Sequence, residues 1–205
     1  MTTLSPSAGY FRAAASTTLI TAIFALVWGF SGSFAIPGST RLVCIVFVLL
    51  VSAFLLGSAF SFWQHAAALP ATDPHAANPF RSRLYNLAVA GQFVAIFLAA
   101  RLLTAFGYPD AIISAVAMIV GLHFFALIPV FQSRRFAVVG GAMILLGLAS
   151  LLLAPAVTLD ATGATLGLRT AAVGLGCAVI LWAGVVPLVA EAREQMRAAR
   201  LRVGD

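Results

Sequence analysis

Charge is what this sequence has least of. Only 9% of its 205 residues are charged, none is lysine and six are acidic, whereas a water-soluble domain carries about a quarter charged residues. With 62% hydrophobic residues and a mean hydropathy of +1.06, a soluble globular domain is excluded and a membrane protein is implied. The acidic side chains are also absent from every long apolar run: Asp73, Asp110 and Asp160 fall between runs, and Glu191 and Glu194 follow the last. Cation-coupled carriers usually place a carboxylate inside the membrane as the ion site. A proton- or sodium-driven pump is therefore disfavoured.

Cysteine is nearly absent too. Cys44 and Cys177 lie alone in apolar runs, without a Cys-x-x-Cys pair or ligand-spaced neighbours, which excludes a disulfide framework and a zinc site. His65, Asp73 and His75 are irregularly spaced, so no metal site is assigned. A pair of axial histidines at bundle spacing is missing as well, which leaves no haem ligation. No cofactor is expected.

What is present is a set of long apolar runs. A helix needs about 20 predominantly apolar residues to cross about 30 Å of hydrocarbon. Six stretches qualify: 16–36, 42–62, 84–106, 111–130, 136–154 and 166–189. Pro37-Gly38, Tyr108-Pro109-Asp110 and the stretch 158–163 punctuate the first, third and fifth connections, because Pro and Gly break helices. The first run is too long for a secretory signal and reads as an uncleaved span. The expected fold is an all-α bundle of six transmembrane helices over residues 1–190, with a basic tail at 191–205.

The twelve basic residues are all arginine and sit at the edges of the runs rather than in one patch, so they read as topology signals and no nucleic-acid partner is implied. Nine of the twelve fall on one side: Arg12, Arg81, Arg83, Arg134, Arg135, Arg193, Arg197, Arg200 and Arg202. Arginines near span ends stay cytoplasmic. Both termini are thus expected in the cytoplasm, and the protein in a bacterial inner membrane.

Polar side chains within hydrocarbon are costly and are functional candidates by default. His123 stands alone in the fourth span, and Gln92 lies on the third at a matching depth, about 10 and about 12 Å from the cytoplasmic ends at 1.5 Å per residue. The two are placed to hydrogen-bond. Thr21, Ser58 and Asn86 fall in the same half, which makes these five the ligand or pathway candidates. The structural alternative is that they bond one another and tie helices together.

Gly29-Phe30-Ser31-Gly32 is similar to the Gly-x-Ser-Gly nucleophile motif of rhomboid proteases, but it lies on the first span and the histidine on the fourth, not in the order those enzymes use. Small residues that let helices approach closely are the stronger explanation. Asn78-Pro79-Phe80 is similar to one half of the paired aquaporin motif and lacks its second half. Arg193, Arg197 and Arg200 share one helical face and are candidates for anionic headgroups or an acidic partner.

Gly121-Leu122-His123-Phe124 in the fourth of six spans resembles a feature of a family of uncharacterised small multi-pass bacterial membrane proteins. That resemblance implies a six-span architecture and no activity. The leading expectation is a channel- or carrier-like bundle for a small neutral, anionic or lipidic solute. The alternatives are an accessory or lipid-binding subunit without transport, and an intramembrane serine hydrolase using Ser31. The bilayer, a partner membrane subunit or a second copy of the chain are the expected partners.

Overall fold

The computed structural model describes residues 7–69, 82–153, 155, 158–159 and 165–203. Six helices account for nearly all of them: α1 (Ala8–Phe34), α2 (Gly38–Ala68), α3 (Arg83–Ala105), α4 (Ile112–Phe131), α5 (Arg135–Leu153) and α6 (Leu168–Val203). All six are long and apolar enough to cross a bilayer. The chain is a multi-pass membrane protein with an all-α six-span bundle. Two short antiparallel strands, β1 (Thr158–Leu159) and β2 (Thr165–Leu166), pair in the α5–α6 connection. The His75 and Asn78-Pro79-Phe80 candidates of the α2–α3 connection, and Asp73 with them, lie outside the described residues.

Local chemistry sets the helix ends. Ser7 and Ser82 cap α1 and α3 by accepting from the amides of Tyr10 and Tyr85 at 3.2 and 3.1 Å, which satisfies donors that a helix start leaves unpaired. Gly38 turns the chain between α1 and α2 with φ +67°, a conformation that favours residues without a Cβ. Two of the three arginines opposite the nine donate to backbone carbonyls. Arg41 Nε donates to Ile36, in the turn after α1, at 2.7 Å, and Arg169 Nε to Ser150, in the last turn of α5, at 3.3 Å, where a cation meets the negative end of that helix dipole.

The spans differ in length from those expected, because three helices do not stop at the membrane. α3, α4 and α5 have 23, 20 and 19 residues, about 29–34 Å of helix, which matches the hydrocarbon. With 27, 31 and 36 residues, α1, α2 and α6 are about 40, 46 and 54 Å long. Their excess lies at the arginine-rich end, since the opposite ends are pinned together by Gly167 N–H donating to the Ala35 carbonyl at 2.9 Å. α1 therefore starts at Ala8 rather than 16, and the supposed tail after 190 is a continuation of α6.

Burial explains that extension. Phe11, Phe62, Ala66 and Ala192 are fully buried and Met196 nearly so, and the Phe11 ring stands edge-on to His65 at 4.6 Å. The three helices thus carry their packed core past the length that a bilayer requires, and burial of apolar surface holds these extensions together.

Within the bilayer, contact is governed by small residues. α1 packs on α2 and α6, α5 on α4 and α6, and α3 almost solely on α4. Gly32 and Gly174 bring α1 and α6 together, and Gly121 and Gly140 do so for α4 and α5, each so closely that a Cβ on any of them would strike the partner backbone. Phe47, Leu50, Phe60, Phe97, Leu145 and Leu152 are exposed and supply an apolar surface suited to lipid. No residue of α3 is buried.

Candidate functional site

Because α3 leans on α4 and hardly touches α1, a cleft opens between α1 and α3 with α4 as its floor. A cavity of ≈ 140 Å³ fills it. From Thr17 to Trp28 along α1 it runs about 16 Å, half the hydrocarbon thickness. Its lining is mostly apolar, with Thr17, Thr21, Tyr85, Gln92 and His123 as the polar exceptions.

Helical periodicity explains how each helix contributes. Tyr85, Val89 and Gln92 fall at i, i+4 and i+7 on α3, while Val120, Phe124, Leu127 and Phe131 do the same on α4. At the arginine-rich mouth the rings interlock. Phe124 stacks on Phe136 at 5.8 Å, Phe136 meets Phe131 at 5.2 Å, and Phe131 stands edge-on to Tyr85 at 6.2 Å. Offset and edge-on pairs of this kind stiffen a wall.

His123 is oriented by α3. Its Nδ1 lies 3.2 Å from the Ala88 carbonyl, and a carbonyl only accepts, so Nδ1 carries the proton. In the neutral ring Nε2 is then a hydrogen-bond acceptor. Gln92, one turn along α3 from Ala88, lines the same cavity. The matched depths therefore correspond to a shared cavity, while the bond that ties the two helices runs from His123 to backbone rather than to Gln92.

The other sequence candidates divide. Thr21 lines the cleft. Asn86 is exposed and does not line it, because it points away from the α4 side of α3. Ser58 is buried on α2, where it donates to the Phe54 carbonyl at 2.7 Å and accepts from Arg193 at 2.9 Å. The Arg193 guanidinium also lies 4.4 Å from the Phe54 ring centroid, so this member of the arginine stripe is folded onto α2. Arg197 is exposed, and the Arg200 side chain lies outside the described residues. Ser31 donates to the Val27 carbonyl of its own helix at 2.9 Å and does not line the cavity with His123.

No protein-family model, curated protein or solved structure matches the chain.

A second cavity of ≈ 200 Å³ adjoins the first at the arginine-rich end. It adds Ser133 and Arg135, neither of which stood out in the sequence. An arginine at a span edge reads as a topology signal, and only the fold aims it at a cavity.

Proposed function

We propose that the protein holds one lipidic solute in the cleft between α1 and α3, admitted sideways from the bilayer, as the binding step of a carrier-like function in a bacterial inner membrane. The observation that carries this is the cleft itself: a largely apolar groove within the membrane with a few polar groups converging on it, the general form of a small-molecule site. The Nε2 acceptor of His123 and the Gln92 carboxamide are the contacts for a polar group on the solute, and the aromatic wall grips its apolar part. A hydrated ion gains little from such a lining, because few groups replace its water. The nine-to-three arginine split supports the cytoplasmic placement of the wide end of the cleft.

The test is native mass spectrometry of the full-length protein released from mild detergent. The wild type is expected to retain one lipid-sized adduct, and Thr21→Phe, which fills the cleft from a half-buried position on α1, is expected to lose it. His123→Leu should weaken retention. A wild type without adduct, or a Thr21→Phe protein that keeps it, defeats the proposal.

A further inference from the structure

We infer that the solute is an anionic amphiphile whose acidic headgroup is held at the arginine-rich mouth by Arg135 and Ser133 while its apolar chain runs inward toward His123. The inference rests on the cleft reading above and adds the class of headgroup. The two cavities share Thr17, Thr21, Phe124, Phe131, Phe136 and Leu181 along their walls. They therefore form one groove, apolar at its deep end and polar at its mouth.

Arg135 is the one cation lining either cavity. It also opens α5, so the positive end of that helix dipole faces the same mouth. Its partner, Glu191, lies at 3.7 Å, with the two side chains 52% and 47% exposed. A charge-assisted hydrogen bond is about 2.7–2.9 Å long, so this pair is loose. Among the described residues no hydrogen bond engages the Arg135 guanidinium, whose fork suits a carboxylate or phosphate. A bound anion displaces Glu191 and gains those donors together with the Ser133 hydroxyl. A cationic head is repelled, an uncharged one leaves Arg135 with Glu191, and a free anion leaves the apolar groove unfilled.

Carboxylate and phosphate present the same chemistry to this mouth, so the probes include both. Binding is read in full-length protein by bromine quenching of Trp28, which lines the groove, in a Trp63→Phe, Trp182→Phe background and in the unmodified protein. The probes are dibromostearate, a dibrominated lysophosphatidate and dibrominated stearyl alcohol. One arginine near the surface corresponds to about a fivefold preference for the anionic probes over the alcohol.

Arg135→Gln should bring that ratio to about one, and Glu191→Gln, which removes the competing carboxylate, should widen it. Tighter binding of the phosphate probe assigns the headgroup to a lipid phosphate, and tighter binding of the carboxylate assigns it to a fatty acid. Equal binding of acids and alcohol by the wild type, or a preference that persists in Arg135→Gln, overturns the headgroup inference and leaves the cleft standing. Absence of saturable quenching by every probe rejects the cleft as well.

Discussion

Two neighbouring glycines on α5 offer a sharp test of how the bundle is held together. A Cβ placed on Gly140 would come within 2.5 Å of the Gly121 carbonyl oxygen, 3.0 Å of Phe125 and 3.1 Å of Phe124, whereas one placed on Gly141 meets nothing within 4 Å. The clash at Gly140 is with backbone and is mirrored from Gly121, whose own Cβ would lie 2.6 Å from the Gly140 carbonyl. To restore an ordinary 3.4 Å contact, α4 and α5 must part by about 0.9 Å in an interior packed as densely as a crystal. Overpacking of this kind costs about 1–3 kcal/mol, offset by up to about 1 kcal/mol from the better helix propensity of alanine. Gly140→Ala should therefore lose about 1–2 kcal/mol, while Gly141→Ala should be neutral or slightly stabilising.

Thermal unfolding followed by tryptophan fluorescence in one detergent gives the comparison directly. Because Gly121 is two residues from His123, the Gly140→Ala protein should also hold lipid less well in the retention assay. If Gly141→Ala destabilises as much as Gly140→Ala, close approach at Gly121 and Gly140 is not what sets the α4–α5 contact.

The other expectations use the same measurement. Phe11→Ala removes a fully buried ring from the extended end of the bundle and should cost about 3–5 kcal/mol; a near-neutral result would mean that the extensions of α1, α2 and α6 do not pack as described. Arg193→Ala, which loses the Ser58 hydrogen bond and the Phe54 contact, should cost about 1 kcal/mol, and exposed Arg197→Ala under about 0.5 kcal/mol. Equal effects at both positions would show that the arginine stripe acts as one surface. Ser150→Ala breaks the 2.7 Å bond between the buried Ser114 and Ser150 hydroxyls that joins α4 and α5. Interhelical bonds in membranes average about 0.6 kcal/mol, so a loss above about 2 kcal/mol would contradict that account.

Six spans and their turns were legible because each rests on local properties. Twenty apolar residues cannot be left in water, Pro37-Gly38 and Pro109 cannot continue a helix, and arginine does not belong in hydrocarbon. That His123 and Gln92 lie at one depth was legible for a similar reason, since depth along a helix is a count of residues, and both line one cavity. The lengths of α1, α2 and α6 were not. A rule that asks only how much helix spans a bilayer has no reason to continue through Phe11 or Met196, which are buried by one another rather than by lipid.

Which helix faces which was also hidden. In water the polar face of a helix marks its outside, but in lipid both faces are apolar, and neighbours are chosen by shape at positions such as Gly32 against Gly174. That choice left α3 at the margin of the bundle, opened the cleft, turned His123 to the Ala88 carbonyl and placed Asn86 and Ser58 away from the cleft. It also sent Arg193 to Ser58 and Phe54 and brought Arg135 to the mouth of a groove. The sequence alone determined that the chain crosses the membrane six times with its arginines gathered at one end, because those are free energies of transfer, residue by residue. The existence of a groove, and what lines it, was decided only by packing between distant segments.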